Sequence, residues 1–176
     1  MVPMAPFVIR PATLEDAVTL ADLGVRTFRE TFEPLYDPAD FAAFLAGAYG
    51  PTIQKAELAD SARPALVLEV EGVPVGFAQL WLDHREPGVP GARPAELQRI
   101  YLLGSAQGGG RGAALLAACE ALVRTRGADV LWLGVWEHNA RALAFYGRSG
   151  FRAVGEHGFS IGGRLDRDLI LAKGLA

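Results

Sequence analysis

The sequence predicts a single α/β (α+β) domain built around a mixed β-sheet. The chain has 176 residues, which is the length of one domain, and 51% of them are hydrophobic, enough to bury a substantial core. Short β-rich runs dominate the middle and both ends of the chain, and residues 96–136 have the strand–helix–strand pattern of a parallel crossover. No repeat, low-complexity tract or linker divides the sequence, so residues 1–176 are interpreted as one domain.

The first third of the chain predicts a strand followed by helices. Residues 7–10 form a β-branched run that is ended by a proline, as expected for a first strand. Thr13 is a suitable N-cap, and the apolar residues of 17–32 recur at helical spacing. After a proline-rich break, two shorter helices are expected around 41–45 and over 51–61.

The middle of the chain predicts extended structure. Residues 65–70 and 73–82 are two apolar runs separated by Glu-Gly, a pattern that indicates a β-hairpin. Residues 84–94 contain three prolines and two glycines and are predicted to form a loop. The next strand is expected over 96–103.

The last third predicts one buried strand, one helix and a closing pair of strands. Residues 130–136 are apolar throughout, as in a strand buried on both faces. A short helix is expected over 139–148, with Asn139 as its N-cap. Two closing strands are expected over 151–155 and 165–171, with a loop between them over 157–163.

Composition excludes several classes of protein. The net charge of −3 argues against a basic nucleic-acid surface, and the single cysteine, Cys119, excludes an internal disulfide and a cysteine zinc site. The three histidines show no metal-binding spacing, so no metal site is predicted. No apolar run reaches the length of a membrane span, and the N-terminus lacks the features of a signal peptide. A cytoplasmic domain without membrane or nucleic-acid partners is therefore expected.

The segment 107–112, Gln-Gly-Gly-Gly-Arg-Gly, lies between a predicted strand and a predicted helix over 113–126. The first N–H groups of a helix have no internal partner and carry the positive end of the helix dipole. Glycines let a phosphate approach these groups without obstruction by a Cβ atom. The segment therefore predicts a diphosphate site.

Two well-known phosphate loops fit this segment poorly. A P-loop requires Lys and Ser or Thr after its last glycine, and neither follows Gly112. Residues 108–113 formally match the dinucleotide pattern GxGxxG/A. Glu137 provides the acidic residue that such a site has at the end of its next strand. However, residues 104–107 separate the strand from the glycines, and too little chain remains for a second nucleotide-binding half.

A third pattern, Q/R-x-x-G-x-G/A, is satisfied by residues 107–112, and a second block follows at residues 139–151, where Asn, Phe-Tyr and Gly-Phe recur at fixed offsets. In these two blocks and in the order of its elements, the chain resembles the GCN5-related N-acetyltransferase (GNAT) family. The resemblance implies one mixed, mostly antiparallel sheet of about six to seven strands, with a central splayed parallel pair and about four helices.

The resemblance also implies that acetyl-CoA is the co-substrate. Backbone N–H groups of the glycine loop would bind its pyrophosphate, and the main chain of the preceding strand would pair with its pantetheine arm. The implied coenzyme-binding residues are Ile100, Leu102, Gln107, Gly108, Gly109, Gly110, Arg111, Gly112, Ala113, Asn139 and Tyr146.

Two residues are predicted to carry the chemistry. The resemblance implies that Tyr146, in the Phe-Tyr pair, protonates the leaving thiolate as a general acid. Glu96 is the candidate base, acting through a water molecule, and period-two alternation predicts that it shares a face with Gln98, Ile100 and Leu102. The structural alternatives are a core tyrosine and an exposed acid at a strand end.

The acyl acceptor is expected to be a small primary amine. Four acids and three aromatic residues between the first two helices would favour a cation: Glu30, Glu33, Asp37, Asp40, Phe28, Phe32 and Tyr36. The stretches TFRETF and GVWEHNARALAFY are similar to the bacterial polyamine acetyltransferase branch. Acetylation of protein N-termini, as in ribosomal-protein acetyltransferases, and a non-catalytic acyl-CoA sensor are the alternatives. The resemblance also implies a tendency to form homodimers.

Overall fold

The structure, a computed structural model, describes residues 5–176 and contains seven strands and five α-helices in that range. The first four residues, on which part of the signal-peptide expectation rests, lie outside the described residues. The strands are β1 (Phe7–Pro11), β2 (Ala65–Val70), β3 (Val73–Trp81), β4 (Pro94–Leu102), β5 (Val130–Trp136), β6 (Arg152–Ile161) and β7 (Arg164–Gly174). The helices are α1 (Ala17–Phe32), α2 (Pro38–Tyr49), α3 (Pro51–Ala59), α4 (Arg111–Thr125) and α5 (Ala140–Arg148).

The strands form one sheet in the order β1-β2-β3-β4-β5-β7-β6. All neighbouring strands are antiparallel except β4 and β5, which are parallel and joined through α4. This arrangement confirms the predicted fold class, a mixed and mostly antiparallel sheet with one central parallel pair.

The parallel pair opens after a short contact. Strands β4 and β5 are paired only from Pro94 to Glu96 and from Val130 to Trp132. Beyond these three residue pairs the two strands separate, so that residues 97–102 and 133–136 face each other across a gap. The gap lies in the middle of the sheet.

A β-bulge changes the alternation of side chains in β4. Gln79 on β3 pairs with Arg99, whereas Leu80 pairs with Leu97, so Gln98 is an extra residue. One extra residue moves every following side chain to the other face of a strand. Leu97 therefore shares a face with Ile100 and Leu102. The prediction that Glu96 shares that face is wrong, because the period-two count was carried across the bulge.

The two faces of the sheet carry separate cores. Helix α4 and helix α5 cover one face, where Cys119 is fully buried as the sequence predicted. Burial raises the pKa of the Cys119 thiol to about 12, which suits a core residue and not a nucleophile. Helices α1 and α2 pack aromatic residues onto the other face.

The closing strands are longer than predicted. The region 157–163 was expected to be a loop, but β6 continues to Ile161 and β7 begins at Arg164. The connection is the pair Gly162-Gly163, and Gly162 has a φ of 57°, a left-handed conformation that glycine adopts without strain. The glycines and polar residues of β6 concealed a strand that pairs with β7 from Gly155 to the turn and, beyond one irregularity at Val154, at Arg152 and Ala153.

The start of α1 is fixed by a partly buried ion pair. Arg10 donates to both carboxylate oxygens of Asp16 at 2.8 and 2.9 Å, and the Thr13 N–H donates to the same carboxylate at 2.7 Å. The hydrogen bonds from Arg10 hold the pKa of Asp16 below its ordinary value. The ionised form of Asp16 therefore stabilises the folded state.

Replacing Asp16 by Asn is expected to lower the free energy of unfolding at pH 7 by about 2 kcal/mol, the usual size for a hydrogen bond to a charged group. Because the folded-state pKa is lowered, this stabilisation exists above the unfolded pKa of about 3.9 and disappears as pH falls through the folded value. Urea unfolding of both proteins at pH 7 and in acid tests this. Asp22→Asn is the control, since Asp22 forms an exposed i,i+4 pair with Arg26 and should contribute less than about 0.5 kcal/mol. An equal loss in the two variants would contradict the assignment.

Candidate active site

The gap between β4 and β5 opens into a cavity of about 1070 Å³. Residues 97–102 and 133–136 form its sides, and the glycine loop and α5 line one end. Residues of α1, β6 and β7 line the other end. The cavity therefore connects the two faces of the sheet through the gap between the strands.

The glycine loop forms an anion site at one end of the cavity. Gly108, Gly109 and Gly110 all have positive φ, at 91°, 59° and 76°. The first i→i−4 bond of α4 runs from the Ala114 N–H to the Gly110 carbonyl, so the helix offers no partner for the N–H groups of the two residues before Ala114. A Cβ at Gly108 or Gly110 would meet no atom within 4 Å. The loop thus leaves open space beside N–H donors and the positive end of α4.

Most of the predicted coenzyme-binding residues line this cavity, but two do not. The lining includes Ile100, Leu102, Gln107, Gly108, Gly110, Gly112, Ala113, Asn139 and Tyr146. Gly109 and Arg111 are outside it. The Arg111 guanidinium instead donates to the carbonyls of Ala106 and Ala5, at 3.3 and 3.4 Å, which directs its charge away from the cavity. Two other arginines, Arg141 and Arg148 on α5, line the cavity.

The main chain of β4 presents unpaired groups to the gap. The Leu103 N–H bonds the Val75 carbonyl of the β3 side. Because hydrogen-bonding direction alternates along a strand, the main-chain groups of Leu102 and Ile100 point the other way, toward β5. No residue of β5 pairs with β4 at these positions. The Leu102 carbonyl accepts from the Gln107 amide at 3.2 Å, so the groups that face the gap without a β5 partner are the Leu102 N–H and the main-chain groups of Ile100.

Helix α5 positions Asn139 and Tyr146. The Asn139 side chain accepts a hydrogen bond from the Ala142 N–H at 3.1 Å, so the predicted N-cap is confirmed. Tyr146 is buried between the rings of Phe145 and Phe151, and burial raises the pKa of its hydroxyl. Phe145, expected to be a plain core residue, also lines the cavity.

Glu96 lines the cavity and is held by a histidine. Its Oε2 lies 2.8 Å from His84 Nδ1, and the His84 ring stacks on Trp81 with centroids 3.8 Å apart. The Trp132 ring lies with its centroid 5.6 Å from that of the His84 ring, and its indole N–H donates to the His84 carbonyl at 2.8 Å. Burial raises the pKa of the Glu96 carboxyl, and the nearby His84 acts against this shift. Glu96 is therefore a half-buried, oriented carboxylate at the cavity wall.

The far end of the cavity combines aromatic rings with acidic groups. The aromatic lining residues there are Phe28, Phe32, Tyr36, Trp136 and Phe159. Asp168 and His157 line the same end, with His157 Nε2 at 3.6 Å from Asp168 Oδ2. This end can accept a cation, because carboxylates and aromatic faces both attract positive charge.

Comparison with known proteins identifies the family. The protein-family model described as "Acetyltransferase (GNAT) family" matches residues 24–151 of this chain. This chain belongs to the GNAT family. It is 34% identical over 149 residues to an uncharacterised N-acetyltransferase of Lactobacillus delbrueckii subsp. lactis, covering 85% of this chain and 86% of that protein. It is 31% identical over 162 residues to one of Mycobacterium bovis, covering 92% and 99%.

The fold agrees with this assignment. The structure of PaiA N-acetyltransferase from Thermoplasma acidophilum in complex with coenzyme A superimposes with a TM-score of 0.77 and 21% identity, covering 96% of this chain and 99% of the other. Membership of the family, together with the N-acetyltransferase relatives, makes this chain an N-acetyltransferase with acetyl-CoA as its co-substrate. No helix within residues 5–176 is both long and apolar enough to cross a membrane.

Three of the four acids expected to attract the acceptor in this GNAT enzyme contact other groups of the protein. The Glu30 carboxylate lines the cavity but accepts the Gly104 N–H at 2.9 Å, and Glu33 lies 3.9 Å from Arg29. Asp37 caps α2, and Asp40 is exposed on that helix. Of the four, only Glu30 lines the cavity, because chain proximity to a pocket does not fix the direction of a side chain.

Sequence reasoning missed His157 and Asp168. His157 was assigned to a loop, so no position on a sheet face could be given to it. Asp168 directly precedes the apolar run 169–172, and an acid at the edge of a buried run was an available signal. The position of either residue becomes informative only when β7 is known to lie beside β5.

Proposed function

We propose that this enzyme transfers an acetyl group from acetyl-CoA directly to the primary amine of a small cationic molecule, such as a polyamine. The observation that carries the proposal is the cavity that crosses the sheet. It has an anion site at the α4 end and a carboxylate-bearing, aromatic end on the opposite face.

The residues at the α4 end fit a diphosphate. The glycine loop gives open space beside N–H groups, and Arg141 and Arg148 add positive charge. Ile100 and Leu102 offer main-chain groups in the gap, where an extended amide-containing arm can pair with them. Acetyl-CoA supplies the acetyl thioester when bound there.

We assign Tyr146 as the proton donor to the departing sulfur. It lies with the α4 and α5 core, on the coenzyme side of the sheet. Because burial raises the pKa of its hydroxyl, Tyr146 stays protonated through the neutral range and keeps a proton to donate.

Glu96 is the proposed proton acceptor, acting through a water molecule. Its Oε2 contacts His84, and no hydrogen bond within residues 5–176 involves its Oε1. A carboxyl whose pKa is raised by burial is better matched to accepting a proton near neutral pH. Since the bulge places Glu96 on the face opposite Ile100 and Leu102, acid and base approach the reaction from opposite sides of the gap.

In the proposed transfer the acceptor nitrogen loses two protons and the departing sulfur gains one. The ammonium group of the acceptor loses one proton to Glu96. The neutral nitrogen forms a bond to the acetyl carbon while the carbon–sulfur bond breaks, and Tyr146 protonates the sulfur. The second proton released by the nitrogen restores Tyr146, and Glu96 returns its proton to solvent.

Two observations favour a small acceptor. The far end of the cavity is bounded by aromatic side chains, and residues 82–93, which connect β3 to β4 and could have formed one wall of a peptide groove, do not line the cavity. The similarity of TFRETF and GVWEHNARALAFY to the polyamine acetyltransferase branch points to the same acceptor class.

The first experiment is calorimetric titration with acetyl-CoA, using NADH as the control, followed by a thiol-release screen. The screen includes spermidine, simple alkylamines and peptides with free N-termini. We expect acetyl-CoA binding, no NADH binding, and thiol release with the small amines. Turnover with peptides alone would replace the proposal by N-terminal acetylation, and binding without turnover would replace it by a sensor role.

A further inference from the structure

His157 and Asp168 form a pair at the far end of the cavity, away from the predicted coenzyme residues. They face each other in the β6–β7 register, and His157 Nε2 lies 3.6 Å from Asp168 Oδ2. On its other side, His157 Nδ1 lies 3.2 Å from Glu86 Oε1. Asp168 also pairs with Trp136 of β5, which brings it to the open part of the gap.

Gly134 leaves the pair accessible from the gap. A Cβ at residue 134 would lie 3.4 Å from Asp168 Oδ2 and 3.5 Å from His157 Nε2. Gly134 is exposed, and its φ lies outside the left-handed region, so its backbone does not require glycine. Glycine weakens a strand interior, and one without a conformational reason often marks the close approach of a ligand. Here the missing side chain opens the space directly above the acid and the imidazole.

The negative charge of Asp168 disfavours the folded state when no ligand is bound beside it. Burial raises the pKa of its carboxyl, the contact with His157 acts against the rise, and Asp166 adds to it. The other titratable groups that face the pair are Glu86, Tyr36, Tyr101 and Glu96. No lysine or arginine contacts the Asp168 carboxylate among the ion pairs of residues 5–176. An incoming ammonium group would supply the missing positive charge.

We propose that Asp168, oriented by His157, binds the ammonium group of the acceptor and thereby selects amines that are protonated at neutral pH. This inference rests on the proposed function and names the residue that recognises its substrate. Asp168 touches the substrate, Glu96 takes the proton, and His157 is a positioning residue held between Glu86 and Asp168.

The test compares charged and uncharged acceptors in wild type and in Asp168→Asn. One acceptor is an alkylamine, and the other is an aryl amine that is neutral at the assay pH. We expect the alkylamine KM to rise about 10- to 100-fold, the range for losing a hydrogen bond to a charged group. The KM of the aryl amine and the affinity for acetyl-CoA should stay within about twofold. Glu156→Gln, an exposed acid beside His157 that pairs with Arg167, is the matched control and should change neither.

Three further measurements separate substrate recognition by Asp168 from a purely structural role. Because the folded-state pKa of Asp168 is raised, its ionised form opposes folding above the unfolded pKa, so Asp168→Asn should melt at the same or a higher temperature. The affinity of the coenzyme A-bound wild type for the alkylamine should fall in acid as Asp168 is protonated, and this pH dependence should be absent in Asp168→Asn. kcat is not the readout for this test, because protonation of Glu96 lowers it in both proteins. Gly134→Ala should fold normally, since its methyl makes ordinary contacts, and should raise the alkylamine KM.

Several outcomes would overturn the proposal. An unchanged alkylamine KM in Asp168→Asn, an equal rise for both acceptors, or a lower melting temperature would each do so. If wild type binds acetyl-CoA but acetylates no amine, the proposed function fails. Calorimetry of the alkylamine with coenzyme A-bound protein then decides the ammonium site, which is rejected if binding does not depend on Asp168.

Discussion

Replacing Gly110 by aspartate is expected to weaken acetyl-CoA binding by about 100-fold or more. Gly110 has a φ of 76° and is the N-cap of α4. A side chain there is strained by roughly 1–2 kcal/mol, and its carboxylate would repel a diphosphate at a helix N-terminus. The strain lowers stability with and without ligand, so the repulsion is what weakens binding. Two like charges about 4 Å apart near a protein surface repel by about 4 kcal/mol, more than the 2.8 kcal/mol or so that corresponds to a 100-fold loss of affinity. Titration calorimetry with acetyl-CoA measures the loss directly.

Gly72→Asp is a closely matched control for this experiment. Gly72 lies in the β2–β3 turn with a φ of 78°, and a Cβ there would also meet no atom within 4 Å. It therefore reproduces the backbone strain and the added charge away from the cavity. We expect Gly72→Asp to lose stability but retain its affinity for acetyl-CoA. Near-native affinity in Gly110→Asp, or an equal loss in both variants, would remove the loop from the binding site.

Replacing Tyr146 by phenylalanine is expected to lower kcat by about 100-fold, at the lower end of what a general acid contributes, with little change in acetyl-CoA affinity. The ring stays in its place between Phe145 and Phe151, so only the hydroxyl proton is lost. In wild type the raised pKa keeps the donor protonated, so kcat should not fall through loss of this proton until the solution is strongly alkaline. Steady-state kinetics across a pH series and a parallel binding titration test both statements.

Tyr49→Phe controls for the loss of a buried tyrosine hydroxyl. Tyr49 is buried in the aromatic core beneath α1 and does not line the cavity. Its variant should keep kcat within about twofold even if its stability falls. If Tyr146→Phe also keeps the wild-type kcat at every pH, Tyr146 is a core residue and another group protonates the sulfur.

The features that could be predicted from the sequence are those encoded locally. The glycine run before α4, the Asn139 cap and the β2–β3 turn each depend on the conformational preferences of one or two residues. The βαβ crossover follows from the spacing of two apolar runs around a helix. Such signals sufficed for a mixed sheet and for the loop at the α4 end of the cavity. The number of strands, the central parallel pair and most of the residues predicted to bind the coenzyme came from the family resemblance.

The acceptor end could not be predicted in this way, because it depends on contacts between distant segments. The bulge at Gln98 has no glycine or proline to mark it, yet it decides which face Glu96 occupies. Asp168 reaches the cavity only because β7 inserts between β5 and β6. Arg111 was assigned to the coenzyme by its place in a motif, but two carbonyl groups attract its charge elsewhere.

The short contact between β4 and β5 gives this sheet four strand edges in place of the usual two. The outer edges are β1 and β6, and the inner edges face each other across the gap. Unpaired edges normally invite pairing with other chains and lead to aggregation. Here the two inner edges face each other across the cavity, which residues of α1, α4 and α5 also line. The unpaired main-chain groups of the inner edges are therefore reached through the cavity, whereas those of β1 and β6 lie along the outside of the sheet.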